Sequence, residues 1–186
     1  MFHTDACQSF TKEELDFKSM FLDFVSINSH KIHGPRGVGA LFKRKGLKIC
    51  PLIHGGGQEK NLRSGSYNTE NIIGFGKAVS IVKPEENKKI SVLKDYFINS
   101  IKKMVEGVII NGSLEKRLSN NINLSFDRIS TKELFNRLNE KEIFVSMGAA
   151  CSSGKISGSH VLKAINKDLI TMENSIRISL SKYITP

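Results

Sequence analysis

The fold is decided by residues 21–42, which read FLDFVSINSHKIHGPRGVGALF. The apolar, partly β-branched start (21–27) predicts a buried strand, and residues 37–42 predict a second short strand. Lys31 follows the first strand directly and precedes a Gly-Pro turn. Ligands of open α/β sheets gather beyond the carboxyl ends of strands, where a desolvated lysine becomes a nucleophile or base. Taken alone, the position of Lys31 favours an ordinary solvated lysine at the edge of a loop over a nucleophile or base.

The composition is that of an ordinary globular protein. The 186 residues suffice for one large domain or two small ones, with 39% hydrophobic and 25% charged residues. No apolar run reaches the ~20 residues that span a bilayer, and the start lacks the pattern of a secretory signal. Three cysteines without CxxC spacing exclude a disulfide scaffold. We therefore expect a soluble chain in a reducing, cytoplasmic setting.

The chain is basic. Lys and Arg number 28 against 18 Asp and Glu, which gives a formal net charge of +10. That excess favours anionic partners such as phosphate groups, RNA or an acidic protein. Composition alone favours a simpler interpretation, a solvated lysine-rich surface.

The residue composition and its pattern change near Lys83 and Pro84, which predicts a boundary between domains 1–82 and 83–186. Most glycines precede it, and a charged pattern at helical spacing follows it. Predicted helices cover residues 69–82, 87–105, 130–138 and 159–165. Predicted strands cover residues 21–27, 37–42, 108–110, 121–126, 143–146 and 175–180. Strands interleaved with helices indicate an α/β or α+β architecture.

Two polar residues upstream complement Lys31. Asp5 and Gln8 lie in a short stretch that we predict to be extended, as a strand beside the first. A pyridine cofactor held by a lysine Schiff base needs a carboxylate at its ring nitrogen, so that the ring stays protonated and withdraws electrons. Gln8 would then donate to the ring hydroxyl. Without a cofactor, the two are a turn residue and a surface contact.

A glycine-rich loop at residues 54–66, HGGGQEKNLRSGS, adds phosphate chemistry. Successive backbone N–H groups of residues 55–57 can face an anion, although flexible turns have the same composition. The side chains able to bind the same phosphate are Arg63, Ser64 and Ser66 in the loop and Asn28, Ser29 and His30 beside Lys31.

A cysteine set among small residues supplies a candidate nucleophile. Cys151 lies in GAACSSG (148–154), between a predicted strand and a predicted helix. Small neighbours leave a thiol accessible and its loop mobile, and a nearby helix terminus or cation favours the thiolate. Cys7 and Cys50 have apolar or strand-like surroundings, which is typical of structural cysteines.

Read together, these motifs resemble the pyridoxal-phosphate-dependent cysteine desulfurases of the NifS/IscS type, within the class V aminotransferase group. The resemblance runs from residue 3 to about residue 183. Its most specific parts are HTDACQS, SHKIHGPRGVGAL, the 54–66 loop, GAACSSG and SIRISLSKY. The resemblance implies an α/β fold, the fold type I of pyridoxal-phosphate-dependent transferases, in incomplete form. Residues 1–82 would be the C-terminal part of the large cofactor-binding domain, and residues 83–186 the small C-terminal domain that carries the catalytic cysteine loop.

The resemblance also implies a role for each matched residue. Lys31 would form the Schiff base and then act as acid and base at the substrate α-carbon, and Cys151 would accept the sulfur. Asp5 would pair with the ring nitrogen, and Arg177 would clamp the substrate carboxylate. The other implied cofactor ligands are Gln8 at the ring oxygen, Asn28 and His30 at the phosphate, and Ser66 at the phosphate of the other subunit of a homodimer.

The implied activity removes sulfur from L-cysteine and leaves L-alanine and an enzyme persulfide. The long spacing from Cys151 to Val161 matches the branch that serves iron–sulfur scaffold proteins or tRNA-thiolation enzymes. This chain resembles only the C-terminal half of the family, so we expect a fragment whose activity a complementing N-terminal chain could restore. Asn28 and Ser29 depart from the family's common residues, which weakens the phosphate inference.

Three alternatives remain open at this stage. A degenerate remnant would keep the fold and lose the chemistry. A basic RNA-binding or acidic-protein-binding module would use the net charge and the run Lys43–Lys45, although the chain offers no Trp and only three Tyr for stacking. A metal site at His30 and His33 lacks a nearby third ligand.

Overall fold

The computed structural model describes residues 1–127, 129–147, 159–165, 168, 171 and 173–185. The chain divides into two compact units, Met1–Pro84 and Glu85–Pro186. Each has a hydrophobic core of its own. In the described part of the chain, no helix is long and apolar enough to cross a membrane.

The first unit is built on a three-stranded sheet in the order β1-β2-β3. Its strands are β1 (His3–Asp5), β2 (Phe24–Asn28) and β3 (Gly39–Lys43). β1 and β2 run parallel, and β3 returns antiparallel to β2. The strand predicted at 21–27 begins three residues later because Phe21 has a left-handed backbone, with φ 51°, in the preceding turn.

One helix covers the core face of this sheet. Helix α2 (Thr69–Ser80) buries Phe75 and Ala78 against Val25 and Ile27 of β2. The period-2 alternation of β2 places those two apolar residues on one face. The glycine-rich loop before α2 contains a single turn, α1 (Gln58–Asn61), with left-handed backbone inside it.

The second unit packs helices on a four-stranded antiparallel sheet in the order β4-β5-β7-β6. Its elements are α3 (Pro84–Met104), β4 (Val108–Ile110), β5 (Asn121–Phe126), α4 (Thr131–Glu140), β6 (Ser146–Met147), α5 (His160–Ala164) and β7 (Ser175–Ser179). Ile122 and Leu124 of β5 and Ile176 of β7 are buried together with Ile98 of α3. The antiparallel pairing follows from the alternating pattern of β5 and β7.

The helix starts in this unit follow the sequence. Ser130 caps α4, and its hydroxyl accepts a hydrogen bond from the Glu133 backbone N–H at 3.4 Å. Ser159 caps α5 in the same way. A serine cap satisfies a backbone donor that the first helical turn leaves unpaired. The prediction of a strand at 143–146 is wrong for most of its length. Within residues 143–147, Ser146 and Met147 alone pair as a strand, with β7.

Candidate active site

The sheet of the first unit brings Asp5 and Lys31 to one edge. β1 and β2 are parallel neighbours, with Asp5 opposite Ser26, so their carboxyl ends meet at the same side of the sheet. Lys31 lies in a short 3-10 turn, His30–Ile32, that begins two residues after β2 ends. Neighbouring strands lie about 4.8 Å apart. A carboxylate and an amine, both exposed, therefore project from adjacent chain segments.

The Asp5 carboxylate is held by the residues that follow it. The backbone N–H of Cys7 donates to Asp5 Oδ1 at 2.9 Å, whereas the Cys7 thiol donates to the Ser26 carbonyl at 3.9 Å. The nearby side chain and backbone N–H of Cys7 lower the pKa of Asp5 below its ordinary value, with a smaller contribution from His3. The group is therefore ionised at neutral pH, which is the state that pairs with a protonated ring nitrogen.

Asn28, the last residue of β2, contacts the turn that follows. Its side-chain Oδ1 accepts a hydrogen bond from the backbone N–H of Lys31 at 3.3 Å. This carboxamide thus fixes the start of the turn that carries Lys31. The Nδ2 donors of Asn28 are not part of this contact, and phosphate binding by Asn28 stays a prediction.

Gln8 lies in a helical turn after β1, which corrects the prediction that residues 2–8 are extended throughout. The backbone N–H of Phe10 donates to the Ala6 carbonyl at 2.8 Å and closes that turn. Lys12 Nζ donates to the Gln8 carbonyl at 2.7 Å, while the Gln8 side chain remains exposed. Chain reversal after Asp5 therefore keeps Gln8 near the end of β1.

Lys12 is a second amine of this region that the sequence analysis missed. Burial lowers its pKa from the ordinary lysine value, and the charge of Lys31 lowers it further. The two ammonium groups are thus close enough to interact. Lys12 follows Gln8 by four residues, a spacing that predicts the contact of Lys12 with the Gln8 carbonyl only if a helical turn follows β1.

The Lys31 turn is fixed from within by Ser29. The Ser29 carbonyl accepts from the backbone N–H of Ile32 at 3.0 Å and of Gly34 at 3.1 Å, and its own N–H donates to Val38 at 3.2 Å. The residue is fully buried, and its hydroxyl has no hydrogen-bond partner in the described structure. Phosphate binding by Ser29 stays a prediction, one that would require this buried hydroxyl to become accessible.

Helix α2 fixes the same turn from outside. A Cβ on Gly34 would lie 2.1 Å from the Ser29 hydroxyl oxygen and 3.0 Å from the Ala78 Cβ. A Cβ on Gly74 of α2 would lie 2.5 Å from Pro35 Cγ. These two close approaches, on either side of the turn, require glycine. Together they set the position of the chain that leads to and from Lys31.

The glycine-rich loop is braced by its own hydrogen bonds. The buried Ser64 donates its hydroxyl to the Gly56 carbonyl at 2.7 Å, and Arg63 Nη1 donates to the Ser64 carbonyl at 2.9 Å. Gly65 has a φ of 124°, a conformation that favours glycine, and its N–H donates to Gln58 Oε1 at 3.2 Å. Ser66 follows as an exposed hydroxyl. Of the side chains predicted to bind phosphate in this loop, Arg63 and Ser64 hydrogen-bond backbone carbonyls of the loop.

Two predicted site residues belong to the second unit. Arg177 is half-buried in β7, between Asn123 of β5 and Ser146 of β6, on the sheet face opposite the apolar core. Cys151 and its GAACSSG motif lie outside the described residues. The positions of both relative to Lys31 stay predictions.

The basic run is partly neutralised within the first unit. Arg44 forms an ion pair with the buried Asp23 at 2.5 Å, and Lys43 Nζ donates to the Leu47 carbonyl at 2.6 Å. Among the described residues, no three His, Cys, Asp or Glu side chains cluster as metal ligands. Neither the nucleic-acid alternative nor the metal alternative gains support from these contacts.

The comparison with protein families settles the family. The model of the class V aminotransferases matches residues 1–186, the whole chain. This chain is a class V aminotransferase family member. The cysteine desulfurase IscS of Dictyoglomus turgidum is 44% identical over 187 residues, which cover 99% of this chain and 48% of that protein. The resemblance drawn from the motifs is thereby confirmed.

Solved structures agree on the fold of this class V aminotransferase chain. The NifS-like protein of Rickettsia africae has a TM-score of 0.85 at 34% identity and is matched over 99% of this chain and 49% of its own. SspA in complex with cysteine has a TM-score of 0.78 at 34% identity, over 99% and 51% of the two chains. The chain therefore spans about half the length of the relatives it matches, and the expected α/β fold is confirmed.

Proposed function

We propose that this chain supplies the C-terminal half of a pyridoxal-phosphate-dependent cysteine desulfurase. The observation that carries the proposal is the common edge of Asp5 and Lys31, an ionised carboxylate and an amine at the ends of parallel strands. Relatives at 40–44% identity are named cysteine desulfurases. Cys151 would be the sulfur acceptor, as the resemblance of its motif to the family implies.

The donor set of the first unit fits pyridoxal 5′-phosphate. Asp5 would pair with the ring nitrogen, because the Cys7 N–H donates to its carboxylate and its pKa is lowered. Gln8 would reach the ring oxygen, and His30 would contact the phosphate from the exposed end of the Lys31 turn. Asn28 would donate to the phosphate from Nδ2 while its Oδ1 keeps the hydrogen bond from the Lys31 N–H. The bound cofactor supplies an electron sink for the substrate α-carbon.

The chain's own residues would then move one proton and one sulfur. Lys31 removes the α-proton of L-cysteine and returns a proton, while the guanidinium of Arg177 holds the substrate carboxylate in two parallel hydrogen bonds. Cys151 attacks the substrate sulfur as a thiolate. The bond from that sulfur to the β-carbon breaks as the sulfur–sulfur bond forms. Thiol plus L-cysteine gives persulfide plus L-alanine, so atoms and electrons balance without an added oxidant.

A partner polypeptide would complete the site. Two neighbouring apolar cavities of about 460 and 280 Å³ share Phe17 and Phe42 on the first unit. Phe21, which lines the larger cavity, is 80% exposed. Exposed apolar patches of this kind mark surfaces that another polypeptide covers. We propose that the half of the relatives' length outside this chain covers it, whether that half is a separate chain or part of the same protein.

Two further features of the family extend the proposal. Ser66, exposed on its braced loop, would reach the cofactor phosphate of a second subunit, so the active form would be a homodimer. The persulfide would pass to an iron–sulfur scaffold or a tRNA-thiolation enzyme in the cytoplasm. Gel filtration coupled to light scattering tests the dimer, and transfer of labelled sulfur to each acceptor tests the destination.

The direct test combines this chain with the N-terminal half of the Dictyoglomus turgidum relative. We expect an absorbance band on adding pyridoxal phosphate, and L-alanine and persulfide on adding L-cysteine. Lys31→Ala removes the band, whereas Cys151→Ala keeps the band and loses persulfide formation. Lys45→Ala and Cys50→Ala are matched controls that change neither, since both side chains are exposed and outside the proposed site.

Two results would contradict the proposal. One is a reconstituted protein that binds no pyridoxal phosphate, because Asp5 and Lys31 would then have no cofactor. The other is full persulfide formation by Cys151→Ala, which would assign the sulfur to another thiol. A chain that binds the cofactor and releases no alanine would favour the degenerate remnant instead.

A further inference from the structure

A row of polar side chains crosses the sheet of the second unit. Asn123 of β5 lies directly opposite Arg177 of β7, and Arg177 lies opposite Ser146 of β6. Asn111, the residue after β4, continues the row, since its backbone N–H donates to the Asn123 carbonyl at 2.9 Å. Side chains opposite one another on antiparallel strands share a face of the sheet, with Cβ atoms about 5 Å apart. Arg177 therefore has an uncharged polar neighbour on each of the two strands that pair with β7.

A chain of hydrogen bonds fixes which way the Asn123 carboxamide faces. The Thr171 carbonyl can only accept, and the Ser125 hydroxyl donates its proton there at 2.9 Å. Ser125 Oγ must then accept the hydrogen bond from Asn111 Nδ2 at 2.6 Å, so the Asn111 amide cannot be turned over. The same Nδ2 also donates to Asn123 Oδ1 at 2.7 Å. Asn111 and Ser125 are 2% and 1% exposed, so this orientation does not depend on solvent.

Asn123 consequently presents a donor on the side of Arg177. With Oδ1 on the side of Asn111 and β4, Nδ2 lies on the other side of the carboxamide, and β7 is the strand on that side of β5. Among the described residues, neither Asn123 Nδ2 nor the Arg177 guanidinium has a hydrogen-bond partner or an ion pair. A guanidinium donates and cannot accept. Two neighbouring donors need a shared acceptor, and an anion with two oxygens supplies one.

We propose that Asn123 Nδ2 binds the α-carboxylate of the substrate together with Arg177, as a third hydrogen bond beside the two from the guanidinium. The proposal deepens the proposed function and rests on it for the identity of the substrate. A carboxylate has room for the additional bond, because its two oxygens offer about four lone pairs. The pair presents only donors, so it selects a free α-carboxylate over the amide, which would bring a donor of its own.

The sharpest variant is Asn123→Asp. It exchanges the Nδ2 donor for an acceptor and keeps the oxygen that accepts from Asn111. Asn121→Ala is the matched control, because Asn121 lies on the same strand and the same face but opposite Ser179 instead of Arg177.

The first test needs no cofactor. Acetate, a carboxylate probe, is titrated into the full chain, with chloride at equal ionic strength as the reference. Nitrogen-15 NMR follows the side-chain NH₂ of Asn123 and the Nε–H of Arg177, assigned by their loss in Asn123→Asp and Arg177→Gln. We expect acetate to shift both signals along one saturation curve in the wild type and in Asn121→Ala, and to bind Asn123→Asp at least several-fold more weakly.

Three results of this titration overturn the proposal. One is a shift of the Arg177 signal without the Asn123 signal, which would leave Arg177 as a carboxylate ligand without this partner. Another is a response of neither signal. The third is equal acetate affinity in Asn123→Asp and the wild type.

The second test uses the reconstituted, cofactor-loaded protein. We expect Asn123→Asp to raise KM for L-cysteine about tenfold or more, with a smaller change in kcat, because the lost bond holds the substrate before and during the reaction. Asn121→Ala should change neither constant. An unchanged KM in Asn123→Asp overturns the proposal, and so does an equal rise in Asn121→Ala, because a disturbed sheet would then explain both. If the wild-type protein forms no L-alanine, the proposed function fails, while the acetate titration still decides whether Asn123 and Arg177 bind a carboxylate together.

Discussion

The contact between Pro35 and Gly74 gives the sharpest prediction about the turn that carries Lys31. A Cβ added to Gly74 would lie 2.5 Å from Pro35 Cγ and 3.2 Å from Pro35 Cδ. Ordinary contacts begin at 3.4 Å, so Gly74→Ala forces a shift of about 1 Å in a proline ring that has no flexible end to yield. Gly76, in the same helix, has nothing within 4 Å of the added Cβ. Gly76→Ala is therefore a matched control.

The magnitudes follow from two opposing effects. Alanine in a helix interior is favoured over glycine by about 1 kcal/mol, and both variants gain this amount at most. Gly74→Ala also meets the steric cost of overpacking, about 1–3 kcal/mol. We expect Gly76→Ala to raise the free energy of unfolding by up to about 1 kcal/mol and Gly74→Ala to fall about 1–3 kcal/mol below it. In a chain of this size 1 kcal/mol corresponds to about 2–4 °C in melting temperature.

Urea unfolding followed by circular dichroism measures the difference between the two variants. If Gly74→Ala is as stable as Gly76→Ala, the packing of α2 on the Gly34–Pro35 turn is not as tight as described. The support for Lys31 from that helix would then be refuted. A destabilised Gly74→Ala with weakened cofactor binding in the reconstituted protein would connect the same contact to the site.

Three further outcomes are expected. Ser29→Ala removes a buried hydroxyl that has no hydrogen-bond partner, so it should stabilise the chain by less than about 1 kcal/mol. A loss of more than about 2 kcal/mol in the free energy of unfolding, measured by urea titration, would contradict the burial described. Asp23→Asn leaves Arg44 without its ion pair and should cost about 1–3 kcal/mol in the same titration, whereas an unchanged midpoint would show that the pair contributes nothing. Cys7 should react with iodoacetamide more slowly than Cys50 at pH 8, because its raised pKa and partial burial leave little thiolate. The reaction rate of Cys7 should increase with pH. Equal rates for the two thiols, measured by mass spectrometry, would contradict the difference in their surroundings.

Most of the secondary structure was accessible from local patterns. β4 and β5 match their predicted ranges, and α4 begins directly after Ser130, the capping serine at which the helix was predicted to start. The differences arise where tertiary contacts override the local pattern. Phe21 is apolar and was therefore predicted to belong to a strand, but it lies in a turn with a left-handed backbone. The stretch around Gln8 coils into a helical turn where an extended one was expected.

The family and the identity of the chemical groups were determined by the sequence itself, because lysine, aspartate and cysteine carry their chemistry wherever they lie and the motifs keep their order along the chain. Which groups touch was decided by the tertiary structure. The parallel register of β1 and β2 brings Asp5 to the edge that carries Lys31, across more than twenty residues of chain. Cys7 and Lys12 became visible as neighbours of that site only through the turn after β1. The physical reason is that hydrogen bonds and van der Waals contacts act over a few ångströms of space, and distance along a sequence does not report that separation.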